Sequence, residues 1–284
     1  MIHRLGIIGY GNMGSWHAAN IRDRINNLDV CAVYDIDEEK RIKAADDGFT
    51  VYDNIDDFLK TDIDIVTIAT PNNFHKHYSI MAMEADKNVV CEKPVCINAE
   101  ELYEVMEVCR KTNKKFTVHQ NRRWDNDFVI MKKIIDEGLV GNPYFLDSRL
   151  YSNHGISGGW RTTYLAGGGV LYDWGVHLID QVLFLEKSEP VSVYSQLKNV
   201  GFKTVDDTIK VIINFENGLS AQVIADLWCH INEPRWHLSG DAGTAQIDKW
   251  FGTEGKIFKA DIKTVTVQEG CVYTPNGLSK TMWP

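Results

Sequence analysis

The sequence predicts an α/β chain in two parts, a doubly wound parallel sheet followed by an α+β half with a largely antiparallel open sheet. Three observations carry this expectation. From residue 3 to about 118, short β-branched runs alternate with helical patterns, the order that builds parallel strands joined by crossover helices. Runs such as "IVTIA" are apolar without alternation, as strands covered on both faces are. After a helical stretch at "DNDFVIMKKIIDEG" the strand-like runs lengthen and begin to alternate, the pattern of a sheet with one buried face.

In order, the first part reads as strand "RLGIIG", helix "MGSWHAANIRDRI", strand "VCAVYD", helix "DEEKRIKAADD" and strand "DIVTIAT". Helix "NNFHKHYSIMAMEAD", strand "NVVCE", helix "NAEELYEVMEVCRKT" and strand "KKFTVHQ" complete it. In the second part a further helix begins near Leu171. "DTIKVIINFENGLSAQVIADLW" reads as two strands joined at Asn217-Gly218, a pair suited to a tight hairpin turn. On the later strand Leu219, Ala221, Val223, Ala225 and Leu227 point one way, and Ser220, Gln222 and Asp226 the other. The boundary is expected near residues 119 to 125, giving a unit at 1–120 and a second at 121–284.

Composition narrows the function classes. The 284 residues are 44% hydrophobic and 24% charged, ordinary for a globular chain, and no apolar run approaches the ~20 residues of a membrane-spanning helix. A formal charge of −9 argues against unspecific nucleic-acid binding, which calls for a basic surface. "KTNKKF" and "NRRW" are local basic exceptions, read as solvated faces. Six cysteines, at 31, 91, 96, 109, 229 and 271, form no Cys-x-x-Cys pair, so reduced thiols are expected. The first strand begins within a few residues of Met1, leaving no room for a targeting peptide, and the expected location is cytoplasmic.

"GIIGYGNMG" places Gly9-x-Gly11-x-x-Gly14 between the first strand and the first helix. The first glycine permits the turn, the second lets a pyrophosphate approach the backbone, and the third lets helix and strand pack closely. The N–H groups of Tyr10, Asn12 and Met13 belong to the same dinucleotide-binding turn, at a helix N-terminus that favours phosphate. Asp35 closes "VCAVY" 21 residues beyond Gly14. Its carboxylate suits the adenosine-ribose hydroxyls and repels a 2′-phosphate, which favours NAD over NADP, although nearby Asp37 competes for the role.

Four more segments follow: "TIATPNNFH" (67 to 75), "CEKPV" (91 to 95), "HQNRRWDNDF" (119 to 128) and "GGWRTTYLAGGGVLYDWGVHLID" (158 to 180). Together with the glycine turn they resemble the Gfo/Idh/MocA family of nicotinamide-dependent oxidoreductases, over nearly the whole chain. The resemblance implies a Rossmann domain, a second domain whose open sheet makes homodimers or homotetramers, and reversible oxidation of a secondary alcohol on a sugar, inositol or related polyol. It also leaves two alternatives, an NAD-dependent glycosidase and a catalytically silent dinucleotide-binding sensor. The chain ends soon after "TPNGLSKTMWP", earlier than most members, so the family's C-terminal segment is expected to be missing or replaced.

Lys93 follows the strand "NVVC" and so projects from the carboxyl edge of the sheet, where ligands of such folds bind. Pro94 restricts it to extended conformations, and in the family the Lys-Pro bond is commonly cis. An ammonium there can hold a substrate hydroxyl and stabilise negative charge on its oxygen. At ~100° per residue Asp173, His177 and Asp180 share one narrow helical sector, opposite Val176, Ile179, Val182 and Leu183. A neutral imidazole can take the hydroxyl proton while a carboxylate orients it; the competing reading is a helix-stabilising i, i+4 pair. The resemblance assigns catalysis to Lys93, Asp173 and His177. No metal is expected, because no Cys-rich or His-Glu-x-x-His partner accompanies them.

Position suggests Thr70, Pro71, Asn72, Asn73 and Glu92 as further cofactor contacts, and the resemblance implies His75 as another, in the loop that lines the cofactor in the family. Arg122 and Arg123 either orient substrate hydroxyls or pair with Asp125 and Asp127. Trp124, Trp160 and Trp174 offer ring faces to a sugar or to the core, and Asn153, His154 and Arg161 lie in a loop expected to carry substrate selectivity.

Overall fold

A computed structural model of the chain describes residues 2–259, together with the backbone of strands at 270–274 and 277–281. The Cys271 side chain and the closing "MWP" lie outside the described residues. The first sheet orders its strands β3-β2-β1-β4-β5-β6, every pair parallel. These are β1 (His3–Ile8), β2 (Leu28–Tyr34), β3 (Thr50–Tyr52), β4 (Ile65–Ile68), β5 (Asn88–Cys91) and β6 (Phe116–Val118). Helices α1 (Asn12–Arg24), α2 (Glu38–Asp46), α3 (Ile55–Leu59), α4 (His75–Glu84) and α5 (Ala99–Thr112) cover it. Ile7, Ile8, Val66, Ile68 and Val89 are buried, which accounts for the unbroken apolar runs. The strand order reverses between β1 and β4, opening a crevice at their carboxyl ends.

β3 and α3 are additions to the sequence reading. At three and five residues they are too short to show a period, and α3 is set instead by Asn54, whose side chain accepts from the N–H groups of Asp56 and Asp57.

The second sheet runs β13-β12-β11-β7-β10-β9-β8, antiparallel except for the β7/β10 pair. Its strands are β7 (Pro143–Tyr151), β8 (Pro190–Lys198), β9 (Thr208–Phe215), β10 (Ser220–Asp226), β11 (Trp236–Gly240), β12 (Gly243–Ile247) and β13 (Lys256–Lys259). Helices α6 (Asn126–Asp136) and α7 (Val176–Leu185) close one face. The β9–β10 hairpin turns at Asn217-Gly218 as expected, and Leu219, Ala221, Val223, Ala225 and Leu227 are all buried. No described helix is long and apolar enough to cross a membrane.

Two local readings need correction. The backbone at Leu171–Gly175 makes a π-helical turn before α7 begins, so regular α-helical spacing does not hold between Asp173 and His177. The start of this wide turn is capped by Asp206, whose carboxylate accepts the Leu171 N–H at 2.7 Å and whose carbonyl accepts the Val170 N–H at 2.8 Å. On α7 the buried side chains are His177, Leu178, Gln181, Val182 and Leu185, whereas Leu183 is exposed.

Behind α7 lies a buried ion pair, Arg235 Nε to Asp127 Oδ2 at 3.2 Å. Arg235 also donates to Ser148 Oγ (2.7 Å) and Gln181 Oε1 (2.6 Å), while Trp236 Nε1 donates to Asp127 at 2.9 Å. Gln181 in turn donates to the Arg122 carbonyl at 2.7 Å, so the network ties the sheet, both helices and the turn carrying Arg122. Asp127 is thus spent on Arg235, not on Arg122 or Arg123. Burial lowers the Arg235 pKa to about 9, against the Asp127 carboxylate, and leaves it charged near neutrality. Removing one partner of such a pair strands the other. Asp127→Ala is expected to cost about 3–5 kcal/mol in urea unfolding, and a loss below 1 kcal/mol would contradict the network's role.

Candidate active site

A cleft of about 670 Å³ opens at the carboxyl edge of the first sheet and extends to the loop at 157–161 of the second half. At one end is the glycine turn. A Cβ on Gly14 would fall on the Gly9 carbonyl oxygen, so only glycine lets α1 start this close to β1. Gly11 caps α1 without a side-chain hydrogen bond, leaving first-turn N–H groups uncommitted at the cleft. That uncapped N-terminus fits a pyrophosphate. Asn12 and Met13 also line the cleft. Tyr10 lies outside the lining, against expectation: its ring is buried, its hydroxyl donates to Asp47 at 2.7 Å, and its N–H is taken by Asp35.

Asp35 borders the cleft just past β2. Its carboxylate accepts the Tyr10 N–H at 2.6 Å and the Asp37 N–H at 2.9 Å, which fixes it across the turn. Asp37 also borders the cleft, but its side chain caps α2 through the Glu39 N–H.

Thr70, Pro71 and Asn72 line the floor, and Asn72 donates to the Gly167 carbonyl at 2.7 Å. Asn73 lies outside the lining, and His75 is fully buried, away from its expected place in the cleft. The His75 ring nitrogens lie 2.7 Å from the Pro94 carbonyl and 3.0 Å from that of Thr70. Burial holds its pKa below the ordinary value, so a neutral ring pins one of these carbonyls from behind.

Glu92 is 5% exposed, at the inner wall. His17 Nε2 and His119 Nδ1 lie 2.7 and 2.9 Å from its Oε1, and its Oε2 accepts the Lys93 N–H at 3.3 Å. Burial pushes the carboxyl pKa up, but hydrogen bonds from the two imidazoles outweigh it and hold it well below its usual range. An ionised carboxylate only accepts, so each imidazole donates. Among the described residues these are the three metal-capable side chains that converge, their donor atoms all within 4.8 Å.

The Lys93-Pro94 bond is cis. Lys93 Nζ donates to Asp173 twice, to its carbonyl at 2.8 Å and to Oδ1 at 2.9 Å. Arg161 Nε lies 3.4 Å from the other carboxylate oxygen. Burial works to raise the Asp173 pKa, yet Lys93 and Arg161 outweigh it and hold the carboxylate below its usual range. His177 bonds neither acid of its sector: its Nδ1 is 3.1 Å from Gln120 Oε1. Asp180 instead takes a forked pair from Arg123, at 2.8 and 2.6 Å. Burial first, then the charges of Lys93 and Arg122, push the His177 pKa down to about 3.

The three glycines before the π turn now have a task. Gly167 and Gly169 take φ of 74° and 106°, and a Cβ on Gly168 would strike the Arg161 carbonyl. The run therefore lets the loop bearing Arg161 fold directly against the turn bearing Asp173.

Other candidates separate. Trp160 and Arg161 line the cleft, the guanidinium 4.6 Å over the ring. Arg122 is not a solvated residue; it stacks over Trp174, Trp250 and Phe251 and reaches Asp125 at 3.4 Å. Trp124 is 81% exposed. Asn153 and His154 sit in a separate depression with Cys229 and His230, outside the cleft lining. The sequence reading missed Gln120, His17, His119 and Asp206. Gln120 had one signal, its place just beyond the carboxyl end of a strand.

Residues 3–120 match a family described as "Oxidoreductase family, NAD-binding Rossmann fold", and residues 128–246 match the GFO/IDH/MocA C-terminal domain. The chain is 30% identical over 208 residues to scyllo-inositol 2-dehydrogenase (NADP(+)) IolW of Bacillus subtilis, covering 72% of this chain and 57% of that protein. It is 27% identical over 256 residues to an inositol 2-dehydrogenase of Salmonella typhimurium, covering 87% and 74%. A crystal structure of an NAD-binding protein from Listeria innocua is 40% identical with a TM-score of 0.89, covering 100% of this chain and 82% of that one. The chain spans from 50% to 75% of the length of the curated relatives it matches.

Because a side chain at Gly14 has no room beside Gly9, Gly14→Val should weaken NADH binding by at least about tenfold, roughly 1.4 kcal/mol, in a fluorescence titration. Unchanged affinity would contradict the assigned place of the turn.

Proposed function

Since the chain belongs to the GFO/IDH/MocA family of oxidoreductases, we propose that it transfers a hydride between NAD(H) and a secondary alcohol or ketone of a sugar, inositol or related polyol. The observation that supports this most is Lys93, in the lining of a cleft that begins at an uncapped helix N-terminus, held by Asp173, with both charges acting on a buried, neutral His177 that lies outside that lining. When bound, NAD supplies the nicotinamide carbon that accepts the hydride. Lys93 holds the substrate oxygen and stabilises negative charge on it as the C–H bond breaks. His177 takes the hydroxyl proton on Nε2, the nitrogen turned from Gln120. Asp173 orients the Lys93 ammonium through two hydrogen bonds and, with Arg161, sets its reach.

The proposed cofactor is NAD rather than NADP, because the Asp35 carboxylate would repel a 2′-phosphate; the NADP-linked relative makes this a property of each chain. We assign cofactor binding to residues 1–120 and substrate binding to 121–284. Exposed Tyr144, Phe145, Val193 and Tyr194 on the second sheet fit a homodimer or homotetramer.

Lys93→Ala and His177→Ala should each lower kcat by about 10²–10⁴-fold while NADH affinity changes little; wild-type kcat in His177→Ala would remove it as the base. With its folded pKa pushed down to about 3, His177 stays neutral as pH falls through its ordinary value. The acid limb of kcat/KM for alcohol oxidation should therefore lie well below pH 6.5, and a limb at about 6.5 would contradict this environment. Asp35→Ser should narrow the NAD/NADP ratio of kcat/KM; an unchanged ratio counts against Asp35 as the selector.

A further inference from the structure

We propose that Gln120 is a positioning residue that fixes the tautomer of His177, placing the ring proton on Nδ1 and leaving the Nε2 lone pair free. This rests on the reading of His177 as proton acceptor, and it gives Gln120 the part that sequence spacing assigned to Asp173. His177 is 4% exposed, so its ring depends on protein partners rather than bulk water. Gln120 Oε1 lies 3.1 Å from Nδ1, and an amide oxygen only accepts, so Nδ1 must donate. The neighbouring carboxylates are already committed: Asp173 to Lys93 and Arg161, and Asp180 to Arg123.

Gln120 is itself held from both sides. Its N–H donates to the Val118 carbonyl at 2.9 Å, and the Asn121 N–H donates to the His119 carbonyl at 2.9 Å, so the chain turns tightly around it. His119 is docked on Glu92, next to Lys93, and the Arg122 carbonyl is docked on Gln181, one turn along α7 from His177. The backbone that carries the amide is thereby referenced to the strand end that bears Lys93 and to the helix that bears His177.

The chemistry of the partner matters as much as its place. A third group that fixes an imidazole tautomer is commonly a carboxylate, which also stabilises the imidazolium. An amide oxygen fixes the proton without adding charge. The charged groups facing His177 are then Lys93 and Arg122 on one side of the balance and Asp173 and Glu92 on the other. Were the amide reversed, its NH₂ would donate to Nδ1, the ring proton would move to Nε2, and the free lone pair would be spent on Gln120 instead of turned away from it.

The test is ¹⁵N NMR of the full-length protein with NADH bound and histidine labelled, the His177 signals being identified by their loss in His177→Asn. Expected at neutral pH is a protonated Nδ1 and an unprotonated Nε2 in the wild type, with the two tautomers mixed in Gln120→Leu. Gln120→Glu should keep the wild-type tautomer and move the acid limb of kcat/KM upward by about one unit or more, while Gln120→Leu lowers kcat by at least about tenfold. A wild-type Nε2–H tautomer would overturn the proposal, as would a Gln120→Leu spectrum identical to wild type. The tautomer is read without turnover. An Nδ1–H form lost in Gln120→Leu, in a protein that oxidises no polyol, would uphold the positioning role and reject only the proposed reaction.

Discussion

The site depends on one half-buried carboxylate shared by two cations. Asp173 is mostly withdrawn from water, a position that disfavours its charge, and it remains ionised because Lys93 arrives from the first sheet and Arg161 from a loop of the second half. Lys93 is 80 residues away in sequence, and Arg161, although in the same segment, lies across the glycine run. Each must be delivered by tertiary structure, Lys93 by the end of β5 and Arg161 by a loop folded over three glycines. The π turn at Leu171–Gly175 completes the arrangement by presenting the Asp173 carbonyl and carboxylate to the same ammonium.

The same logic extends to how the halves meet. Their apolar cores are separate, one between the second sheet and helices α6 and α7, the others on the two faces of the first sheet. What joins them near the cleft is a row of directional contacts: Asn72 to the Gly167 carbonyl, Tyr172 to the Ile97 carbonyl, Lys93 to Asp173, and Gln120 to His177. Apolar contact is indifferent to small rotations; hydrogen bonds are not. A site assembled across such a seam gets its precision from the bonds that also form it.

This explains what could be read from the sequence and what could not. Parallel strands, the hairpin at Asn217-Gly218 and the glycine turn are local signals, written in period, turn chemistry and spacing over fewer than about twenty residues. Lys93 and Asp35 were legible for the same reason, since both follow buried strands and so lie at the carboxyl edge. The partners of His177 were not, because helical arithmetic assumes a uniform turn, whereas the backbone at Leu171–Gly175 makes a π turn whose first N–H groups are taken by Asp206, 33 residues beyond Asp173. His75 and Asn153 are expected at the site from the loops that carry them, but one ring turns inward to carbonyls and the other side chain lines a different depression. Loop direction has no period to betray it.

The depressed basicity of His177 constrains how the proposed reaction can work. Moving an imidazole from its ordinary 6.5 to about 3 corresponds to about 5 kcal/mol against the imidazolium. So weak a base cannot remove a proton from an ordinary alcohol by itself. The oxygen must first be made acidic, and the ammonium of Lys93 is the group placed to do it. On this reading the charge of Lys93 does two opposed things: it weakens the base and strengthens the acid the base must meet. The opposition is productive only while Asp173 keeps Lys93 aimed and Gln120 keeps the ring turned. A neutral amide suits that task, because it holds the base in position without a negative charge that would lock the imidazole in its protonated form.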